Sequence, residues 1–134
     1  MNILVTGAAG NTLRHRKSWL AGGMAFVALV IYLSLTPNPI SAPSWGSFKL
    51  GHIAAYAWLM FWFAQLFPTG RQRFGIAMAF WSMGIALEYV QDLVGRDFAY
   101  SDMVDDGIGV FAGWLVAMTP LSRAFVVVDE WWRA

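Results

Sequence analysis

A chain of 134 residues has the length of one domain. Only 13% of it is charged and 58% is hydrophobic, with eight Trp and ten Phe, whereas a soluble domain is about one quarter charged; this balance points to a membrane protein. A net charge of +1, with no basic stripe interleaved with aromatics, excludes nucleic acid as a partner, and the lack of cysteine excludes disulfide frameworks, thiolate nucleophiles and cysteine-based zinc sites.

Residues 1–10, MNILVTGAAG, look like a short strand and glycine turn opening a dinucleotide-binding unit. That fingerprint needs a third glycine, a following βαβ unit and an acidic residue about 20 positions on. Leu13 stands where the third glycine belongs, and no acidic residue occurs before Glu88. Residues 1–18 therefore read as a basic, poorly ordered cytoplasmic leader carrying Arg14, His15, Arg16 and Lys17. A basic block before an apolar run also suits a signal peptide. The run Trp19–Leu35 is long for that, and no small-x-small cleavage site follows, so a retained first membrane helix is expected.

Pro37, Pro39 and Pro43 break the chain into a loop over 36–48. The second span is expected over Lys49–Phe67, ended by Pro68-Thr69-Gly70. The third is expected over Phe74–Val94, closed by Gly95, and the fourth from Asp102 to Leu121. Within the fourth, Gly109 and Gly113 form a small-x-x-x-small pair that lets two helix backbones approach closely. The tail, 122–134, carries Trp131-Trp132 and reads as an interfacial segment. The fold expected is all-α: a polytopic four-helix membrane bundle over 19–121 with both termini inside. That orientation places seven of the nine basic residues (Arg14, Arg16, Lys17, Arg71, Arg73, Arg123, Arg133) on the inner side, as the positive-inside rule requires. For the basic block, a topology signal is the whole of the reading.

Lys49 and Arg96 are the exceptions, and both fall beside the stretch Glu88–Asp106, which holds six of the eight acidic residues. Helical positions three, four and seven apart share a face. Lys49, His52 and Tyr56 therefore share one face at the outer end of span two. Glu88, Gln91 and Asp92 share one on span three, with Glu88 opposite His52. Asp102, Asp106, Gly109 and Gly113 share one on span four, with Asp105 beside them. Ionisable residues within spans normally face the bundle interior, so these stripes predict one polar pocket at the outer leaflet. Its formal charge is −6 from Glu88, Asp92, Asp97, Asp102, Asp105 and Asp106 and +2 from Lys49 and Arg96, which leaves −4 with His52 neutral. Burying that excess calls for shared protons, a charged His52, contact with water, or a cationic ligand.

Alternatives to a ligand-binding role stand beside each residue. His52 serves as well as a hydrogen-bonded structural histidine. Glu88 and Gln91 serve as an interhelical clamp, Arg96 as an ion-paired interfacial anchor, and Asp102 as a helix N-cap. Asp92 and Asp97 read as solvated loop charges, and Gly109 and Gly113 as packing residues.

Taken in order, Ser34–Pro37, Lys49-x-x-His52-x-x-x-Tyr56, Glu88-x-x-Gln91, Gly95-Arg96-x-Phe98 and Asp102-x-x-x-Asp106-x-x-Gly109-x-x-x-Gly113 resemble the VanZ-like family. The resemblance covers residues 30–115. It implies a small multi-pass protein of the bacterial cytoplasmic (inner) membrane and cell envelope, of a family whose namesake is associated with low-level teicoplanin resistance. Many members carry Asn where this chain has Asp106.

Three functions are consistent with the pocket. One is binding of a membrane lipid or lipid-linked cell-envelope intermediate, with Lys49 and Arg96 on its phosphate or carboxylate and a homo-oligomer as a further partner. Another is a membrane-embedded enzyme in which His52 or Glu88 is the general base and two or more Asp hold a divalent cation. The last is a small cation or proton carrier. No cofactor or resident metal is expected.

Overall fold

The computed structural model describes residues 13–36, 44–45, 48–95 and 98–133. Among these residues the fold is helical, with five helices: α1 (Arg16–Leu35), α2 (Leu50–Leu66), α3 (Gly70–Leu93), α4 (Tyr100–Ala117) and α5 (Ala124–Arg133). A 3-10 turn at Pro120–Arg123 precedes α5. Just before α2, β1 (Ser44–Trp45) and β2 (Phe48–Lys49) form a two-residue antiparallel ladder, with Ser44 opposite Lys49 and Trp45 opposite Phe48.

Local chemistry sets the helix ends, and it moves several of them from their expected places. α3 begins at Gly70 rather than Phe74 because Thr69 and Gln72 form a capping box. The Thr69 hydroxyl accepts from Gln72 N–H (3.1 Å) and the Gln72 side chain accepts from Thr69 N–H (3.2 Å). After α3, Gly95 takes φ +86°, the left-handed conformation that turns a chain out of a helix. α4 starts at Tyr100 rather than Asp102 and stops at Ala117, where Thr119 and Pro120 open the 3-10 turn. α5 then leaves α4 at 78°.

The core lies where α2 meets α3 and α4. Tyr56, Leu59, Met60 and Phe63 of α2 pack with Phe80 of α3 and Val110 and Ala117 of α4. Glycines bring the backbones together. A Cβ on Gly109 would strike the Ile53 carbonyl and lie 3.0 Å from Tyr56 Cβ; one on Gly113 would strike the Ala57 carbonyl and lie 2.9 Å from Met60 Cβ. The Gly-x-x-x-Gly pair thus seats α4 against two successive turns of α2. Gly22 and Gly23 of α1 do the same beneath the Trp62 and Phe63 rings.

Large apolar side chains elsewhere point outward: Met24 and Leu29 on α1, Phe74 and Met78 on α3, and Val104, Phe111 and Leu115 on α4. Only Gly23 of α1 is buried. Among the described residues, α1 alone is long and apolar enough to cross a membrane; α4 and α5 meet that test only as a bent pair.

The expected leader and tail boundaries both change. Residues 1–12 lie outside the described residues. Residues 13–18 do not belong to a loose leader: Leu13 is buried against Leu66, Phe125 and Val126, and α1 starts at Arg16. The segment 122–134 is not only a surface anchor, because Phe125 and Val126 of α5 belong to that same packed cluster.

The glycine contacts predict opposite outcomes at two sites. Gly109→Leu should destabilise the protein by about 1–3 kcal/mol or more, through overpacking against α2. Gly75→Ala, where nothing lies within 4 Å of a new Cβ, should be neutral or stabilising by up to about 1 kcal/mol. Thermal unfolding in detergent, followed by circular dichroism, checks both.

Candidate functional site

The site sits at the end of the bundle where α2 and α4 begin. Lys49, at the N-cap of α2, is extended (φ −96°, ψ 101°), so the ladder rather than the helix aims it. Its ammonium pairs with Asp102 Oδ2 at 3.0 Å, while its backbone N–H donates to Asp105 Oδ2 at 2.9 Å. One turn into α2, His52 Nδ1 lies 2.7 Å from Asp106 Oδ1, and its Nε2 lies 3.9 Å from Asp102 Oδ2, beyond hydrogen-bond reach. Asp102, Asp105 and Asp106 share the buried face of α4 with Gly109 and Gly113. Each of the three aspartates is only 2% exposed. The close α2–α4 approach therefore also places Lys49 and His52 against these aspartates.

α3 completes the wall. Gly84 leaves room for Asp106: a Cβ there would stand 2.5 Å from Asp106 Oδ2. Glu88, 1% exposed, accepts from the Ala99 N–H at 2.6 Å, which ties α3 to the start of α4. Gln91 is buried too, and its side-chain amide donates to the Ser34 carbonyl of α1 at 2.7 Å. Tyr56 is buried below His52, against the backbone of Gly109.

The structure thus brings together Lys49, His52, Tyr56, Asp102, Asp106, Gly109 and Gly113, and sets Glu88 and Gln91 on the neighbouring wall. Several assignments change. His52 pairs with Asp106, not with Glu88. Asp102 is no N-cap: Ala99 holds that position, and Asp102 is a buried first-turn residue paired with Lys49. The Lys49 ammonium is paired with Asp102 and remains half exposed. Asp92 is exposed, as a solvated charge is, and Arg96 and Asp97 lie outside the described residues. Asp105, which sequence spacing set beside the face, is a full member, and Gly84 gave no sequence signal beyond being a glycine 22 positions before Asp106.

Among the described residues, what remains is four buried carboxylates, Glu88, Asp102, Asp105 and Asp106, against one ammonium and one imidazole. The second oxygen of Asp102, Oδ1, has no hydrogen-bond partner among the described residues. No group of three His, Asp or Glu converges in metal-ligating geometry among those residues. The accessible edge of the cluster is Lys49 and His52, whose side chains are 48% and 24% exposed.

The opposite end of the bundle holds a second polar assembly that spacing alone did not reveal. Arg73 donates to the Ala64 carbonyl (2.9 Å) and the Ala117 carbonyl (3.3 Å), closing the last turns of α2 and α4. Arg16 donates to the Leu66 carbonyl (2.8 Å) and lies over the Phe67 ring. These arginines satisfy orphan helix carbonyls, a structural role additional to any topology signal. Asp129 of α5, fully buried, accepts from Arg14 N–H (2.5 Å), His15 N–H (3.2 Å) and Trp19 Nε1 (3.2 Å), and meets His15 Nδ1 at 2.7 Å. Trp19 stacks between Phe125 and Trp132, so α5 is fastened to the start of α1.

Burial alone would raise the Asp129 carboxyl, but the hydrogen bonds from His15, Arg14 and Trp19 outweigh it and hold the group below the ordinary carboxylate range. A depressed folded value means that the stabilisation is complete above the unfolded value, about 3.9, and is lost as pH falls through the folded one. The α1–α5 fastening should therefore release below about pH 4, read as a change in tryptophan fluorescence, and Asp129→Asn should flatten that acid limb.

Comparison with protein-family models, with curated proteins and with solved structures returned no match.

Proposed function

We propose that this chain is a VanZ-like multi-pass protein of the bacterial cytoplasmic membrane, whose outer-leaflet pocket binds a lipid or lipid-linked cell-envelope intermediate and so contributes to glycopeptide tolerance. The carrying observation is an inverted distribution of polarity. Four carboxylates lie inside at 1–2% exposure, while Met24, Leu29, Phe74, Phe111 and Leu115 face outward. Water-soluble domains seldom bury several Asp and Glu together while exposing so many large apolar side chains. In a bilayer outward apolar side chains are expected, and ionisable groups within spans, rare because they are costly, face the bundle interior and mark functional sites.

The site's charge refines what it would recognise. Among the described residues, carboxylates outnumber cationic side chains once Lys49 is paired to Asp102, and an anionic group would meet them unfavourably. A headgroup rich in N–H or ammonium donors fits instead, and it would have to reach past Lys49 and His52 to the buried Asp102 Oδ1. One further reading has its own observation. The Asp106–His52 pair is the arrangement that orients an imidazole as a general base, here with a partly exposed ring.

Native mass spectrometry of protein extracted from membranes tests the binding reading. The wild type should carry a lipid-linked or lipid species, and Asp102→Asn and His52→Ala should each lower its occupancy about tenfold, the value of one charge-assisted contact. A wild-type protein with no such species overturns it. Turnover of a lipid-linked substrate lost in His52→Ala would favour the general-base reading. Topology has a separate check: a reporter at residue 99 should be outside and one at residue 70 inside. The reverse result removes the outer-leaflet site.

A further inference from the structure

The surface of α5 divides into three sectors. Successive residues of a helix are turned about 100° from one another, so side chains sort by position around the axis. Phe125, Val126 and Asp129 fall within about 100° of arc and are buried against the bundle. Beside that face Glu130 is exposed, and Arg123 is exposed in the 3-10 turn just before the helix. The remaining arc carries Val127, Val128, Trp131 and Trp132, with no polar side chain among them. Val127 is nevertheless 51% exposed and Trp131 77%. Leu121 and Met118, also exposed, carry this apolar surface back towards α4.

A helix packed on a bundle in water needs one apolar sector and one polar sector. The second apolar sector of α5 calls for a second apolar partner, and the setting of the helix indicates which. Its ten residues measure about 15 Å, half the roughly 30 Å of a bilayer's hydrocarbon, so α5 does not cross one. It leaves α4 at 78°. With α4 along the bilayer normal, α5 lies nearly in the plane of the membrane surface. There a helix meets bundle, hydrocarbon and water on three sides, as these sectors require, and tryptophan favours that depth.

Charge selects among lipids. Arg14, Lys17, Arg71 and Arg123 are exposed at this end of the bundle, against Glu130 as the one exposed carboxylate there among the described residues. The Asp129 carboxylate is enclosed and spent on the start of α1. Arg14 stands directly beside α5, because its backbone N–H donates to Asp129. Such cations draw anionic lipid phosphates to the helix they flank.

We propose that α5 is an in-plane docking helix for an anionic lipid surface on the inner side of the membrane. Its Val127 and Trp131 face enters the acyl boundary, and Arg14, Lys17 and Arg123 meet the lipid phosphates. This rests on the membrane placement proposed above and is independent of the outer-leaflet pocket.

The chain has no cysteine, so Val127→Cys and Met24→Cys can each carry a single nitroxide label, the second on the exposed face of α1. The full chain in vesicles of phosphatidylglycerol and phosphatidylcholine is read by electron paramagnetic resonance for contact with oxygen, which concentrates in hydrocarbon, and with a water-soluble nickel chelate. Both labels should meet oxygen more than nickel. If the Met24 label does so while the Val127 label meets nickel, α5 docking falls and the membrane placement stands. If both meet nickel, both fall. A Val127 label shielded from both reagents means that protein, such as a second copy, covers the face, and overturns the lipid. Native mass spectrometry with the two lipids, chain-matched, reads the charge. The wild type should retain phosphatidylglycerol better by about fivefold for each cation engaged, and Lys17→Gln and Arg123→Gln should each remove about fivefold. Equal retention by the wild type, or a preference that both variants keep in full, overturns the anionic partner.

Discussion

The contact between α2 and α4 governs the rest of the molecule. Three aspartates on one face of α4 are buried at 2% exposure, and unpaired charges in such a setting are costly. They are tolerated because α2 presents the Lys49 ammonium, the Lys49 backbone N–H and the His52 ring to them. That delivery requires the two backbones to lie nearly in contact, which Gly109 and Gly113 permit. Packing and polarity are therefore one constraint: a side chain at either glycine would separate the helices and also strip the aspartates of their partners.

The same logic recurs at the other end, with different chemistry. There the burden is unsatisfied helix ends rather than excess charge. Arg73 closes the carbonyls of α2 and α4, Arg16 closes α2, and Asp129 gathers the N–H groups at the start of α1. Helix termini leave orphan groups that need partners wherever water is excluded. The two ends of the bundle thus differ in kind. One satisfies backbone with side chains and becomes structure. Among the described residues, the other leaves carboxylates in excess over cations, while each end keeps one buried side-chain atom without a partner, Gln65 Nε2 at the first and Asp102 Oδ1 at the second.

Much of this was legible before any coordinates. The apolar spans located four helices to within a few residues, because their ends coincide with proline, glycine or a change in polarity. Helical spacing put Lys49 with His52 and Asp102 with Asp106. The misses have physical causes. Spacing says which residues share a face but not which face meets it, so His52 was matched with Glu88 rather than Asp106. The Ser101-Asp102 pair carries the local signal of a cap, but the helix starts two residues earlier and burial turns Asp102 into an ion-pair partner. Asp129 carries no local signal of its role, since its donors lie more than 100 positions away in the chain.

The sequence by itself determined the helical class, the positions of the main helices and the identity of the polar residues, because each of these follows from local pattern: apolar length, breakers and three-four spacing. Only the tertiary structure decided the pairing. Whether Lys49 is free or spent, whether Asp102 caps or binds, and whether the C-terminal segment is a tail or a fastening all depend on which atoms from distant segments come within hydrogen-bond distance. That is settled by how closely the glycines let α2 and α4 approach, and by what is left unpaired once they have.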